Sequence, residues 1–485
     1  MKMSRIKRSS GVLLPLFSLP SPYGIGTLGR EAYRFVDYLH EAGQSYWQLL
    51  PMNPTGYGDS PYMATSAFAG NPYFIDLDDA ASLLGLPGVP EAGLSRDVTA
   101  RVDYGAQYVH RLRILDRMIA EGAGDFSDAE FRSFKEREHA WLEDYARFEA
   151  LRRRNACAPW QEWKACEVSD SEVDTVCFEQ YLFFRQYGAL RRYASEMGVG
   201  LIGDMPLYLS TDSADVWSAR EDFYLDERGY PTEVSGVPPD LFSEDGQRWG
   251  TPLYRWHKMK EEGFPFWQRR ISHAMAMYDL VRIDHFVGLV RYYAIPAEET
   301  TARHGEWRNA EGAALLELLA EEGARLIAED LGIVTEDVAR VRNAFGIPGM
   351  KVMQFAFEGD EANPFLPCHY EQNCVVYGGT HDNETTLGYF SNAPVEVRRR
   401  AARYLGIKEE APAQIARAVL RACFASVADL SVMSMSDLLL LGNEGRINTP
   451  SRASGNWDFR LGIDYAQAAP AWKVREMTEL YSRLP

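Results

Sequence analysis

The chain has 485 residues, 46% of them hydrophobic, and a formal net charge of −18 from 51 basic and 69 acidic side chains. That balance argues against a nucleic-acid or anionic-membrane partner, because binding either depends on an excess of Lys and Arg, and it suits a neutral substrate. The length exceeds one ordinary domain but fits a single (β/α)8 TIM barrel carrying large insertions.

Lys2, Arg5, Lys7 and Arg8 precede an apolar run, 11–20, that is too short for a secretory signal and holds Pro15 and Pro20. It reads as a first barrel strand, 11–16. Leu28, Ala32, Phe35, Val36 and Leu39 then recur at helical spacing after Thr27 as cap, and Gly43 stops the helix. A second strand follows at 45–50. Strand, helix, strand is the repeating unit of a parallel α/β fold.

Residues 75–198 read as a mainly helical insertion between the second and third strands, with a capping box at Ser127 and Glu130 and an apolar stripe from Phe131 to Phe148. A third strand is expected at 199–204. Residues 205–279 hold Gly229, Gly236, Pro238, Pro239 and Gly246 and read as a loop-rich insertion over the barrel mouth. Further strands at 280–284, 325–329, 351–356, 374–378 and 437–442 bring the number to eight, which closes a barrel. No run of about 18 apolar residues spans a membrane. The six Cys form no metal-type spacing and read as reduced thiols of a cytoplasmic protein.

Three of these strands end in acid, and in a parallel barrel such ends converge on one mouth. In Leu280-Val-Arg-Ile-Asp284 the period of two puts Arg282 and Asp284 on one face, either as a structural ion pair or as a carboxylate kept ionised for attack on an anomeric carbon. Ile327-Ala-Glu329-Asp330 points its two acids to opposite sides. Glu329, partly desolvated near another carboxylate, has the raised pKa of a proton donor, whereas Asp330 is a candidate helix cap. Thr380-His381-Asp382-Asn383 follows two glycines and either forms an Asx-turn or meets sugar hydroxyls and a cationic transition state. Converging carboxylates of this kind are the equipment for breaking a glycosidic bond. His285 and His381 lie near several Asp, but no HxxxH or HExxH spacing supports a metal. The Gly-rich aromatic segments 54–62 and 245–254 offer ring faces, Tyr57 and Trp249, on which a pyranose can stack.

Ordered motifs extend this reading over almost the whole chain: Gly-Tyr-Gly-Asp-Ser-Pro-Tyr at 56–62, Ser-Ala-Phe-Ala-Gly-Asn-Pro-Tyr at 66–73, Ile-Gly-Asp-Met-Pro at 202–206, Gly-Gln-Arg-Trp-Gly at 246–250, then Arg-Ile-Asp-His-Phe, Ala-Glu-Asp-Leu-Gly and Gly-Thr-His-Asp-Asn. In these the sequence resembles the 4-alpha-glucanotransferases, the amylomaltase or disproportionating-enzyme family of glycoside hydrolase family 77. The resemblance implies transfer of alpha-1,4-glucan segments to glucose or maltooligosaccharides by a retaining double displacement, without metal or organic cofactor. It implies Asp284 as nucleophile, Glu329 as general acid/base and Asp382 as transition-state stabiliser, with Arg282 and His381 as partners. It also places Asp204 in support of the site, Tyr57, Ser60 and Trp249 in sugar-lining loops, and Asn448 in the last-strand motif. The alternative is a glucan hydrolase of the same class, which forms the same covalent intermediate and differs only in its acceptor.

Overall fold

The strands that build the barrel are short and buried on both faces, as parallel strands are when helices cover one side and packed side chains fill the other. The computed structural model describes residues 2–485 except 57, 91–92, 99–100, 123–125, 127, 240–242, 333–334, 409, 451 and 453. Its barrel strands are β1 (Ser9–Leu13), β2 (Tyr46–Gln48), β3 (Gly200–Met205), β6 (Leu280–Ile283), β9 (Leu326–Ala328), β10 (Gly349–Val352), β11 (Cys374–Tyr377) and β12 (Leu430–Ser434). They pair in parallel in that order, and β12 closes onto β1 with Ser9 opposite Leu430 and Leu13 opposite Ser434. The fold is a (β/α)8 barrel. Four further strands, β4 (Glu233–Val237), β5 (Gln247–Pro252), β7 (Arg291–Pro296) and β8 (Glu306–Asn309), form an antiparallel side sheet in the order β5-β4-β7-β8.

The first unit shows why these residues take these forms. Helix Arg30–Glu41 buries Ala32, Phe35, Val36 and Leu39 on one stripe, and Gly43 follows its carboxyl end at φ +66°, a conformation that suits glycine. Thr27 is not its cap: Gly29 holds that position, and the Thr27 hydroxyl donates instead to Asp76 Oδ2 at 2.8 Å. Beneath the helix Trp47 on β2 is fully buried, meets Phe35 edge-on at 4.9 Å and donates its indole N–H to the Leu14 carbonyl at 2.8 Å. On β3, a Cβ at Gly203 would lie 2.2 Å from the Tyr278 ring, so only glycine admits the segment entering β6 so closely.

Three expected elements sit elsewhere. The expected first strand at 11–16 starts two residues earlier, and Leu16–Ser18 form a 3₁₀ turn. The sixth barrel strand is 349–352, and most of 351–356 falls in a 3₁₀ turn at Met353–Phe357. The eighth is 430–434 rather than 437–442. The run Leu438-Leu-Leu-Leu441 is apolar enough for a strand, yet it lies past the barrel in partly buried positions with Leu440 at φ +52°, while Leu430, Val432 and Met433 supply the buried strand.

Residues 77–196 contain a series of helices, the longest at Asp170–Glu196, which carries a reciprocal capping box of Ser169 and Glu172. Of the box expected at Ser127 and Glu130, Ser127 lies outside the described residues; helix Ala129–Arg137 is capped by Asp128, which accepts from Phe131 N at 2.8 Å. Within 205–279 lie β4, β5 and the helices Trp256–Glu261 and Pro265–Met277; the other two side-sheet strands come from 291–309, after β6.

Candidate active site

The mouth of the barrel is organised by one cation. Arg282 on β6 stands opposite Asp204 on β3 in the strand register, and its Nη1 donates to Asp204 Oδ1 at 2.6 Å and lies 3.0 Å from Asp284 Oδ1. Asp204 is thus the closer partner. Its side chain is wholly buried and accepts a second bond from the Tyr62 hydroxyl at 2.8 Å on Oδ2. Burial outweighs the guanidinium, so Arg282 does not hold Asp284 in the ordinary range as expected. Burial raises the Asp284 carboxyl, Arg282 opposes, and the negative Asp204 and Asp382 reinforce the rise.

Glu329 sits one residue past β9, beside Asp284 one residue past β6, since Ile283 and Ala328 are register partners on these neighbouring strands. Two backbone amides hold its carboxylate, His285 N to Oε2 at 2.8 Å and Leu331 N to Oε1 at 2.9 Å. Burial nevertheless pushes Glu329 well above the usual carboxylate range; Arg282 opposes this, Asp284 adds to it, and the two amides only partly offset it. Asp330 points away from the mouth. It accepts from Met350 N at 2.7 Å and pairs with Arg342, so it ties β9 to β10 and a helix rather than capping one; the next helix, Glu336–Phe345, starts from Thr335.

Asp382 lies beyond β11 in the opposite electrostatic state. Burial alone would raise it, but His381 at 3.3 Å from Oδ2, and Asn448, whose Nδ2 donates to Oδ1 at 2.7 Å, hold it well below the usual range. For His381, burial works against the imidazolium, yet the adjacent carboxylate raises its pKa. His381 Nε2 also lies 2.8 Å from the Tyr62 hydroxyl, and the two rings stack at 5.2 Å. Asn448 is on no strand: it follows β12 by fourteen residues, in a loop tied back by its own amide to the His381 carbonyl and by Arg446, which donates to the carbonyls of Asn448 and Asp382.

Of the remaining expected residues, Tyr57 lies outside the described residues. The Ser60 hydroxyl accepts from Tyr62 N at 3.3 Å and so shapes the turn that delivers Tyr62. Trp249, partly buried on β5, meets the His285 imidazole edge-on at 4.6 Å. Sequence reasoning missed Tyr62, which bridges Asp204 and His381, although it closes the 56–62 motif. It also missed the polar pair beneath the site, where Tyr377 on β11 donates to Gln48 on β2 at 2.9 Å across the barrel.

The family profile described as 4-alpha-glucanotransferase, glycoside hydrolase family 77, matches residues 14–464. The chain belongs to this family. The 4-alpha-glucanotransferase of Thermus thermophilus is 46% identical, covering 99% of this chain and all of the relative, with 100% of its length matched. That of Clostridium butyricum is 40% identical over 96% of this chain and 99% of the relative. Among solved structures, an amylomaltase from Streptococcus agalactiae in complex with acarbose superposes with a TM-score of 0.92 at 35% identity, covering 99% of this chain and 100% of that one. Family membership makes the chain an enzyme of alpha-1,4-glucans.

Proposed function

We propose that the mouth carries out the transferase reaction of the family with Asp284 as nucleophile, Glu329 as general acid/base and Asp382 as stabiliser of the transition state. The observation that carries this reading is the divergence of the carboxyls that follow β9 and β11 at the one mouth. Glu329 is pushed up, so it holds a proton near neutrality, while Asp382 is held ionised. An acid that keeps its proton donates it to the departing O4, and a fixed negative charge favours the oxocarbenium-like centre. Asp284, in its ionised form, attacks the anomeric carbon, giving a glycosyl-enzyme with inverted configuration. Glu329, now ionised, takes the proton of an acceptor hydroxyl, and the second inversion restores the starting configuration.

The donors are alpha-1,4-glucans and maltooligosaccharides, and the acceptor is the 4-hydroxyl of glucose or of another maltooligosaccharide. Trp249 supplies the stacking face that orients the acceptor, Ser60 belongs to a loop that lines the sugar subsites, and Arg282, Asp204, His381 and Asn448 hold the carboxyls. The family favours transfer over hydrolysis. Six unpaired cysteines, two of them exposed, support a cytoplasmic location. No helix among the described residues is long and apolar enough to cross a membrane.

Incubation with maltotriose and chromatography of the products tests the reading. Transfer gives a ladder of longer maltooligosaccharides with free glucose. Glucose and maltose alone would show hydrolysis and overturn it.

A further inference from the structure

His285 is an unusual occupant of its position. It follows Asp284 directly and adopts φ +51°, a left-handed conformation that glycine takes freely and a histidine takes at a cost. Its imidazole Nε2 is buried without a hydrogen-bond partner, and so is the hydroxyl of Tyr208, whose ring faces it at 6.2 Å. Gly288 admits this arrangement: a Cβ there would lie 3.1 Å from His285 Cδ2, 3.3 Å from the Tyr208 hydroxyl and 2.2 Å from Leu207 Cδ2. Backbone strain and a buried orphan nitrogen both weigh against stability, and residues that carry such costs cluster at working sites.

What the residue gains is a link between two parts of the mouth. Its backbone N–H donates to Glu329 Oε2 at 2.8 Å, while its imidazole edge meets the Trp249 indole at 4.6 Å with the rings perpendicular. We propose that His285 is a positioning residue that couples the acceptor platform Trp249 to the carboxylate of Glu329. The proposal rests on the reading of Glu329 as acid/base and Trp249 as acceptor platform. A sugar settled on Trp249 fixes the indole, the indole fixes the imidazole in the cluster that both form with Tyr208, and the imidazole fixes the amide that holds Glu329. The amide bond favours the ionised carboxylate, the form needed to accept the proton of the incoming hydroxyl. Acceptor binding and base readiness are thereby joined.

The groups facing Glu329 are Arg282 on β6 and Asp284 one residue past it, together with the amides of His285 and Leu331. Facing the imidazole are Trp249 from β5 and Tyr208 from the segment after β3; burial pushes the imidazole down to about 4, so it is neutral throughout the working range and contributes no titration of its own. A change in the alkaline limb of the pH–rate profile therefore reports Glu329.

The test measures kcat/KM on maltotriose from pH 5 to 9 for four proteins: the native enzyme, Trp249→Ala, His285→Gly and the double variant. His285→Gly retains the backbone conformation and the amide but removes the imidazole. Each single variant should raise the alkaline limb by about half a pH unit, as a loosened amide bond favours the neutral acid. The double variant should move it no further than His285→Gly alone, because both changes cut the same link. An alkaline limb unmoved in either single variant, or shifts that add in the double variant, would overturn the proposal while leaving the proposed function intact. Glu329→Gln distinguishes the two readings: if it kept maltotriose turnover, the acid assignment itself would fall, and this proposal with it.

Discussion

Replacing Asn448 by Ala removes one bond, from Nδ2 to Asp382 Oδ1 at 2.7 Å, and leaves the backbone ties of residue 448 to His381 and Arg446 in place. A hydrogen bond to an ionised group is worth about 1.5–3 kcal/mol. Two features set where in that range this bond falls. Asn448 is only 9% exposed, so water does not readily occupy the vacated side, whereas the Asp382 side chain is 44% exposed and keeps water on its other edge. The middle of the range, about 2 kcal/mol, corresponds to a fall of roughly 30-fold in rate. Because Asp382 is assigned to the transition state, kcat and kcat/KM on maltotriose should fall together with KM nearly constant. Asn448→Asp should cost more, since a second carboxylate at that contact distance disfavours the ionised form of Asp382. A loss below about threefold, or one confined to KM, would refute the reasoning and leave Asp382 set by His381 and Arg282.

Tyr62→Phe strips a bond from the buried Asp204 carboxylate and from His381, and should lower stability by about 1–3 kcal/mol, read from the denaturant midpoint at constant slope. The pH profile of kcat/KM should be bell-shaped, with its acid limb above the ordinary carboxylate range because burial raises Asp284, and its alkaline limb set by Glu329. Stability carries the matching signature. The folded-state pKa of Glu329 lies above its unfolded value, so its favourable contribution is complete below the unfolded pKa and is lost as pH rises through the raised one; Glu329→Gln should therefore be more stable than the native chain above neutrality, as checked by melting at pH 5 and pH 8.5. Trp249→Ala should lower the ratio of transfer to hydrolysis and raise the acceptor concentration for half-maximal rate, with an unchanged product ratio assigning Trp249 to packing alone.

The acids were legible because each ends an apolar strand, and strand ends of a parallel barrel face one mouth whatever the insertions between them. Period-two reasoning also separated Glu329 from Asp330 and put Arg282 with Asp284, since both rest on pleat geometry alone. Roles fixed by distant partners were not legible. Tyr62 looks like any loop tyrosine until the 56–63 turn sets its hydroxyl between Asp204 and His381. The pairing of Arg282 with Asp204 depends on the β3–β6 register, which a sequence does not display. The side sheet escaped notice because its strands come from two insertions separated by β6, so neither segment alone shows a hairpin ladder. At the last strand, apolar content pointed to the leucine run, while the true strand mixes Ser431 and Ser434 with Leu430, Val432 and Met433 and is defined by its pairing with β1 and β11.

The central claim is that Asp284 forms the covalent bond to the sugar while Glu329 moves the proton. Trapping tests it most directly: Glu329→Gln is mixed with an alpha-maltosyl fluoride donor, whose leaving group needs little protonation, then quenched in acid, digested and mapped by mass spectrometry. The account predicts a glycosylated peptide carrying the label on Asp284. A label on any other carboxylate, or no labelled peptide while the fluoride is still turned over, would contradict it.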